Sequence, residues 1–346
     1  MQHHCWFEAE NWRERKTFTV DCQLARTNTV RGTSTFITKM QEYTCSPPVD
    51  CGKEVDASHL KGKTVVVTGG ANGIGEAYVR ALNAAGLNVC IGDMDVKGGT
   101  KLANELRNVK FVKCDVSNWE DQVELFKTAA SFTGKVDYVV ANAGIAPPDE
   151  VFDFAGKDNP PTKPNLATLN VNLTGALYTT KLATHYFISQ NGQSPFEQKQ
   201  EDTCLVLIGS GAAFLDCLRG PTYPATKWAM RGIMHSLRRT AGWYGSRVNV
   251  ISPWYVRTNI LSEEAFDAVS ASGVSFAQPE DAGRCLLRIL SDPSMNGKSL
   301  FLSPRKWAPN GFLDLDLDDY PGNELLQEIQ REQICTDPVE KGLFLK

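Results

Sequence analysis

The sequence of 346 residues predicts an α/β fold, in which a doubly wound parallel sheet carries helices on both faces and makes three layers. Three observations support this prediction. Short apolar strands alternate with amphipathic helices from Leu60 onward. A glycine-rich turn joins the first strand to the first helix. The polar residues of unusual chemistry follow the ends of strands, which is the edge at which such sheets bind ligands.

The first strand, turn and helix carry the clearest pattern. A β-branched strand over 64–67 is followed by a turn with Gly69, Gly70, Gly73 and Gly75, and a helix from Glu76 ends at Gly86. A turn without side chains lets a diphosphate approach the backbone, where the N–H groups and the dipole of the helix bind it. The spacing Gly-x3-Gly-x-Gly differs from the general dinucleotide fingerprint, so packing alone remains an alternative explanation of the glycines.

The alternation continues through the rest of the domain. Further strands are predicted at 87–92, 109–114, 136–141, 204–209, 247–251 and 298–302. Further helices are predicted at 98–106, 119–132, 166–189, 225–243 and 279–290. A polar insertion spans 191–202, and a variable region runs from the sixth strand to about residue 278. Right-handed crossovers then place a ligand crevice at the carboxyl ends of the strands.

Length and composition indicate one domain with two extensions. We assign 59–305 to a dinucleotide-binding and catalytic domain, 1–58 to a partly irregular N-terminal extension, and 306–346 to an acidic tail. The tail contains nine carboxylates and four bases, so we expect it to be solvated or to face a partner. A calcium loop beginning at Asp314 is excluded, because Asp319 stands where the glycine belongs and Leu325 where the glutamate belongs.

Charge and cysteine content exclude several classes of protein. The net charge of −4 provides no basic face for nucleic acid or anionic lipid. No apolar run approaches the ~20 residues of a membrane span. The ten cysteines include no C-x-x-C pair, and His3, His4 and Cys5 stand at a terminus, so no metal site is predicted. We expect a reduced, cytoplasmic protein that binds neither nucleic acid nor membrane.

Asp93 is the candidate residue for choosing the cofactor. It ends the second strand, 18 residues beyond Gly75, where a carboxylate can accept hydrogen bonds from ribose hydroxyls and repels a 2′-phosphate. The turn residues Ala71 and Asn72 offer no base to such a phosphate. Both points favour NAD over NADP. Asp95 competes for this role, and a solvated loop aspartate is the alternative explanation.

Tyr223 and Lys227 are the candidate acid–base pair. They stand at positions i and i+4 of a predicted helix, so they share one face of it. A neighbouring ammonium favours phenolate and moves the pKa of the phenol from about 10 toward the working pH. Ser210, 13 positions before Tyr223 and at the end of the fifth strand, can donate a hydrogen bond to the same substrate oxygen.

Together these residues resemble the short-chain dehydrogenase/reductase family, in its single-domain branch, over about Leu60 to Pro304. Thr68-Gly69-x3-Gly73-x-Gly75 resembles the cofactor turn of that family. Asp115-Val116 looks like its adenine-contacting pair, and Asn142-Ala143-Gly144 like its Asn-Ala-Gly element. Asn172, Ser210, Tyr223 and Lys227 look like its catalytic tetrad. Where the family has Pro-Gly-x-Val-x-Thr, this sequence has Trp254 in place of the glycine, which alters the pocket wall beside Val256 and Thr258.

The resemblance implies a Rossmann fold and a role for each residue. The cofactor would be bound by Gly69, Asn72, Gly73, Ile74, Gly75, Asp93, Asp115, Val116, Asn142, Tyr223, Lys227, Val256 and Thr258. Tyr223 would exchange a proton with the substrate oxygen, and Lys227 would lower the pKa of Tyr223 and hold the ribose. Ser210 would orient the substrate oxygen, and Asn172 would hold a water. Helices 119–132 and 166–189 would form the interface of a homodimer or homotetramer.

The sequence therefore predicts an NAD-dependent dehydrogenase that interconverts a secondary alcohol and a ketone. Aromatic residues after the sixth strand and after Ser210 favour a bulky apolar or polycyclic substrate such as a secondary metabolite, bound by Ser210, Tyr223 and Trp254. The same aromatics would equally serve to close the core. The Ser-Pro-Trp pattern at 252–254 is similar to fungal dehydrogenases of secondary metabolism and to hydroxyprostaglandin-type enzymes. An NADPH-dependent ketoreductase and a non-catalytic dinucleotide-binding regulator remain the alternatives.

Overall fold

A computed structural model describes residues 43, 47–193, 199–218, 220–320 and 322–335. In this part of the chain eight strands form one sheet in the order β3-β2-β1-β4-β5-β6-β7-β8. The strands are β1 (Thr64–Thr68), β2 (Asn88–Asp93), β3 (Val109–Lys113), β4 (Tyr138–Ala141), β5 (Thr203–Ile208), β6 (Ser246–Pro253), β7 (Ser299–Leu302) and β8 (Phe312–Asp314). Neighbouring strands are parallel except β7 and β8, which are antiparallel. The predicted fold class is confirmed.

The strand order reverses at β1. This strand pairs with β2 on one side and with β4 on the other, so the chain leaves β1 in one direction and returns across it. The loops that follow β1 and β4 therefore diverge above the carboxyl ends of the sheet, and a crevice opens between them.

Helices cover both faces of the sheet. They are α1 (Gly73–Ala84), α2 (Val96–Glu105), α3 (Trp119–Ala130), α4 (Ala167–Leu169), α5 (Gly175–Asn191), α6 (Thr222–Leu237), α7 (Glu263–Ala271), α8 (Pro279–Leu290) and α9 (Glu324–Cys335). A π turn, Asn170–Thr174, joins α4 to α5. None of the helices in the described ranges is long and apolar enough to cross a membrane.

Two helices differ from the sequence prediction in an informative way. The predicted helix 225–243 begins earlier, at Thr222, because Pro224 falls in its first turn, where proline is tolerated. It ends at Leu237, and a separate 3₁₀ turn, Ala241–Tyr244, follows it. Within the predicted variable region, α7 forms behind Ser262, whose side chain accepts a hydrogen bond from the Ala265 N–H as an N-cap.

The core lies in two clusters, one on each face of the sheet. Val65 and Val67 of β1 point to the face covered by α1 and α8, and Val66 points to the face covered by α3, α5 and α6. Gly283 allows α8 to lie close to α1, since a Cβ at this position would come within 2.7 Å of the Ala81 Cβ. This arrangement gives the three layers.

The segment 312–319 is not the solvated tail that its charge indicates. Phe312–Asp314 forms the edge strand β8, and the following carboxylates pair with cations of the domain. Asp318, whose side chain is 3% exposed, lies 3.1 Å from Arg231 and 3.3 Å from the His235 ring. Lys298 lies 3.6 Å from Asp314, and both side chains are almost fully buried. These carboxylates are buried together with the cations that they pair with, Lys298 just before β7 and Arg231 on α6.

Part of the predicted N-terminal extension also contacts the domain. The Val49 N–H donates to Asp314 at 3.0 Å, and Val49 and Cys51 pack against the core. Most of 1–58, including His3, His4 and Cys5, lies outside the described residues. The boundaries of the domain, the cytoplasmic location and the oligomer through α3 and α5 stay predictions.

We expect that breaking the buried ion pair between Asp318 and Arg231 lowers the stability of the protein measurably. Asp318→Asn removes the charge but keeps the shape, so an uncompensated cation remains, and we expect the free energy of unfolding to fall by about 3 kcal/mol. Burial raises the pKa of Asp318, but the hydrogen bond from His235 and the charge of Arg231 lower it further, to below its ordinary value. The difference between the two proteins should therefore shrink as the pH falls through that lowered pKa.

Urea denaturation at several pH values measures this difference. Glu263→Gln is the control, because its carboxylate pairs with Arg257 at the surface and its loss should cost less than about 1 kcal/mol. Equal costs for the two variants would contradict the assignment of a buried structural role to Asp318.

Candidate active site

A cavity of about 810 Å³ opens at the carboxyl ends of β1, β2, β4, β5 and β6. It is lined by all but one of the residues that the sequence analysis selected: Gly69, Asn72, Gly73, Ile74, Gly75, Asp93, Asp115, Val116, Asn142, Ser210, Tyr223, Lys227, Trp254, Val256 and Thr258. The exception is Asn172, which lies behind the wall. The fold thus brings together residues that are up to 189 positions apart in the sequence (from Gly69 to Thr258); their roles remain to be tested.

The glycine turn is held by close backbone contacts. Gly69 has a φ of +64°, and a Cβ there would come within 2.7 Å of the Ala143 Cα. A Cβ on Gly75 would overlap the Gly69 carbonyl oxygen. Gly73 has a φ of +57° and lies against Thr258. Packing therefore explains why glycine is needed at positions 69 and 75. This agrees with the alternative explanation from the sequence, that the glycines serve packing.

The same turn also leaves a place for an anion. The N-cap of α1 is Asn72, whose side chain makes no capping hydrogen bond. The first N–H groups of a helix have no partner within it, and Asn72, Gly73, Ile74 and Gly75 all line the cavity. This end of the cavity fits a diphosphate, because no side chain caps the helix and its first backbone N–H groups remain as donors.

Asn142 joins the ends of β1 and β4. Its side-chain amide donates to the carbonyl oxygens of Thr68, at 3.0 Å, and Gly69, at 2.7 Å. In return the Thr68 hydroxyl accepts from the backbone N–H groups of Asn142 and Ala143, at 3.0 and 3.2 Å. Asn142 therefore shapes the glycine turn as well as lining the cavity.

Two carboxylates line the end of the cavity beside β2 and β3. The oxygens of Asp93 accept from the Ala71 and Asp95 N–H groups, each at 2.9 Å, and each oxygen keeps a free lone pair. Asp115 accepts from the Ser117 hydroxyl at 2.7 Å. Asp95, the competitor of Asp93, is instead the N-cap of α2 and accepts from the Gly98 N–H. Of these three carboxylates only Asp93 and Asp115 line the cavity.

Tyr223 and Lys227 follow each other along one face of α6, next to Ser210. The Lys227 ammonium lies 5.5 Å from the centre of the Tyr223 ring and donates to the Ile208 carbonyl oxygen at 3.0 Å. Ser210 ends the segment after β5, and its hydroxyl accepts from the Ala212 N–H at 3.1 Å. The three side chains meet at one wall of the cavity.

Burial controls the pKa values of this pair. It lowers the pKa of Lys227 to about 8. It also raises the pKa of Tyr223, against the opposing effect of a hydrogen bond with Ser210. The expectation that Lys227 brings the pKa of Tyr223 below its ordinary value is wrong for this structure, because the ammonium is directed at the Ile208 carbonyl and desolvation dominates.

Asn172 lies in the π turn, and its side chain is occupied by the loop after β4. Its Oδ1 accepts from the Ile145 N–H at 2.8 Å, and its Nδ2 donates to the Ile145 carbonyl oxygen at 2.9 Å. The nearby Gly144 separates it from the cavity, since a Cβ there would lie 3.3 Å from Asn172 and 3.6 Å from Lys227. A π turn at such a position is common near functional sites.

Trp254 forms the wall beside Ser210. A Cβ on Gly211 would approach its ring to 3.2 Å, and its indole N–H donates to the Ser275 carbonyl oxygen at 3.1 Å. The edges of Tyr255 and Trp307 pack on it, with ring centres 5.0 and 5.6 Å away. Trp254 is therefore fixed in place where the family motif has a glycine.

The sequence left open whether the aromatic residues line a substrate pocket or close the core, and the structure has residues of both kinds. Trp254, Tyr255 and Phe266 line the cavity. Phe214 packs against Phe301, Phe276 packs against Phe266, and neither lines the cavity. The sequence pattern of a loop does not show which aromatic residues line the cavity and which pack in the core, so the folded structure is needed to tell them apart.

Several lining residues were not selected from the sequence. Met94 follows Asp93 and is 56% exposed, and its position just after a strand end was the available signal. Cys217 and the segment 259–261 also line the cavity. They belong to loops without periodicity, and no motif marks them.

Arg231 connects this wall to the C-terminal segment. Its guanidinium donates to the Ala213 carbonyl oxygen at 3.2 Å, close to Ser210 in the chain, and to the Leu317 carbonyl oxygen at 2.6 Å. The sequence offered no reason to associate these segments.

Comparison with known proteins agrees with the geometry. A family model described as short chain dehydrogenase matches residues 63–267. The chain is 32% identical over 301 residues to 5'-hydroxyaverantin dehydrogenase of Dothistroma septosporum, covering 81% of this chain and 95% of that protein. It is 29% identical over 281 residues to NADP-dependent dehydrogenase M3 of a Phoma species, covering 77% and 81%.

A solved structure has the same fold. The 3-ketoacyl-(acyl-carrier-protein) reductase of Brucella melitensis, complexed with NADH, superposes with a TM-score of 0.60 at 22% identity, covering 70% of this chain and 97% of that chain. The family model and the relatives confirm the resemblance that the motifs indicated. The chain belongs to the short-chain dehydrogenase family of NAD(P)-dependent oxidoreductases.

Proposed function

We propose that this protein is an NAD-dependent dehydrogenase that interconverts a secondary alcohol and a ketone on a bulky apolar or polycyclic substrate. The observation that carries this proposal is the convergence of Ser210, Tyr223 and Lys227 on one wall of a cavity whose other end is a glycine turn with free helix N–H groups. Acid–base groups beside a dinucleotide cradle are what carbonyl reduction and its reverse require.

Each residue has a defined task in this proposal. A nicotinamide dinucleotide, when bound, supplies or accepts the hydride. The turn at 69–75 holds its diphosphate, Asp93 its adenosine ribose, Asp115 and Val116 its adenine, and Val256 and Thr258 its carboxamide. Tyr223 gives a proton to the substrate oxygen or takes one from it, and Ser210 orients that oxygen. Lys227 holds the second ribose, while Asn172 fixes the loop at Ile145 beside it.

The preference for NAD rests on charge at the ribose end. Asp93 would repel a 2′-phosphate, and Lys227 is the only base among the described residues that line the cavity. An NADP-dependent ketoreductase is the second candidate, because dehydrogenase M3 of Phoma is named as NADP-dependent.

The proposed substrate class rests on the apolar residues near Ser210. Trp254, Tyr255 and Leu215 present apolar surface to a cavity that is large enough for a dinucleotide and a further ligand. The similarity to 5'-hydroxyaverantin dehydrogenase supports a secondary metabolite as the alcohol or ketone.

Removing the phenol hydroxyl tests catalysis directly. Tyr223→Phe should lower kcat by about a thousandfold, because the proton-transfer group is lost. The affinity for NADH should change by less than about threefold. Absorbance of NADH with a panel of polycyclic and aliphatic secondary alcohols measures turnover, and fluorescence titration measures binding. Tyr186→Phe, on α5 and outside the cavity lining, is the control and should keep full activity. Unchanged activity of Tyr223→Phe in cells would favour the non-catalytic regulator.

The lowered pKa of Lys227 predicts a pH-dependent stability. The pKa of Lys227 is about 8 in the folded protein and 10.5 for an ordinary lysine, so between these pH values the unfolded chain binds a proton that the folded protein does not. Lys227 therefore makes the free energy of unfolding increase with pH in this window, by at most about 1.4 kcal/mol per pH unit. Urea denaturation of the wild-type protein and of Lys227→Met, without dinucleotide, measures the difference. A difference independent of pH would contradict the burial of an ammonium.

Asp93 should set the choice of cofactor. Asp93→Asn removes the negative charge with little change of shape, so we expect the ratio of kcat/KM for NAD to that for NADP to fall at least about tenfold. Asp95→Asn is the matched control, since Asp95 caps α2 instead of lining the cavity, and the ratio should not change. A wild-type enzyme that prefers NADPH would refute the cofactor assignment.

A further inference from the structure

The helix that carries Tyr223 has no N-cap of its own. The residue before α6 is Pro221, and no side chain of that position caps the helix. Serine, threonine, aspartate or asparagine usually occupies an N-cap and accepts a hydrogen bond from the first turn. The opening N–H groups of α6 therefore need an acceptor from elsewhere.

Asp149 supplies this acceptor from 73 residues upstream. Its Oδ2 accepts from the Thr222 N–H at 2.8 Å and from the Thr222 hydroxyl. Its Oδ1 accepts from the Val151 N–H at 3.0 Å, which fixes the carboxylate in its own loop. Burial raises the pKa of Asp149, but the hydrogen bonds from Thr222 and Val151 lower it further, to below its ordinary value, so the group is ionised near neutral pH.

The contact joins two parts of the active site. The loop that begins after β4 contains Gly144 and Ile145, which line the cavity and contact Asn172, and then reaches Asp149. On the other side, a Cβ on Gly220 would lie only 3.4 Å from the Asp149 Cβ, so the chain just before α6 lies close to this loop. Tyr223 is the next residue after Thr222, and any movement of the Thr222 backbone moves the phenol.

We propose that Asp149 is a positioning residue of the active site, which caps α6 from the loop after β4 and so holds the Tyr223 phenol in register with Ser210 and Lys227. This inference rests on the proposed function. Asp149 is absent from the groups that shift the pKa of Tyr223, which are burial, Ser210, Cys217 and Tyr255. It therefore acts through the position of the helix start, and small displacements of a catalytic group are enough to cost activity.

Two substitutions at Asp149 separate positioning from charge. Asp149→Ala removes the acceptor, and kcat should fall by about 10- to 100-fold while the affinity for NADH changes by less than about twofold. Asp149→Asn keeps an oxygen that accepts from Thr222, so kcat should stay within about threefold of wild type. Thr222→Val keeps the N–H bond and loses the hydroxyl bond, so it should lie between the two. It also tests the contact if Asp149→Ala does not fold.

Glu150→Ala is the matched control. Glu150 is the next residue of the same loop, is exposed, and accepts from the Asn165 N–H at 2.9 Å rather than from α6. Its variant should keep the wild-type kcat and NADH affinity. An unchanged kcat in Asp149→Ala, or an equal loss of kcat in Asp149→Ala and Asp149→Asn, would overturn the proposal.

Hydrogen exchange provides a readout that does not need turnover. The Thr222 and Tyr223 amides should exchange faster in Asp149→Ala than in wild type, Asp149→Asn or Glu150→Ala. If the wild-type protein turns over no alcohol or ketone, the proposed function fails, and this exchange experiment alone decides whether the cap exists. Unchanged exchange at these two amides would refute the cap in either case.

Discussion

The close contact between the ends of β1 and β4 is the constraint on which the rest of the site depends. A parallel sheet whose strand order reverses leaves these two ends side by side, with loops that leave in opposite directions. The Asn142 amide and the Thr68 hydroxyl join them through four hydrogen bonds to backbone groups. The contact leaves no space for side chains at Gly69 and Gly75, so the start of α1 remains bare. The same packing that requires the glycines also leaves room for an anion at the start of α1. Packing and diphosphate binding are therefore compatible explanations of the glycines.

Burial affects the cations of the C-terminal segment and the Lys227 ammonium differently, because only the former are paired with carboxylates. At the C-terminal segment, carboxylates accompany the buried Arg231 and Lys298, and the charges are paired. At the candidate active site, the Lys227 ammonium is buried and donates to a carbonyl oxygen, no carboxylate of the described residues forms an ion pair with it, and its pKa falls to about 8. A structural ion pair keeps its charge over a wide pH range, whereas an ammonium without a counter-ion responds to whatever charge enters the cavity.

The parts of the fold that could be predicted from the sequence are those with a local cause. Seven strands are apolar runs long enough to be recognised, and Tyr223 and Lys227 are tied by helical spacing. The edge strand β8 has only three residues and runs into the Leu-Asp alternation of 313–318, which is typical of a solvated segment, and it forms because Lys298 and the sheet edge lie beside it. The cap by Asp149 and the contact of Arg231 with Ala213 join segments distant in sequence, which no local pattern reveals. The pKa of Tyr223 depends on how much protein surrounds the phenol, which periodicity does not report.

The guanidinium of Arg231 links the C-terminal segment to the wall of the candidate active site. One planar group bonds at once to the backbone after Ser210, to the Leu317 carbonyl and to Asp318. A substitution that removes Asp318 or displaces the Leu317 carbonyl therefore also takes a partner from the group that holds the backbone beside Ser210, so the residues after β8 and the loop after β5 depend on one another.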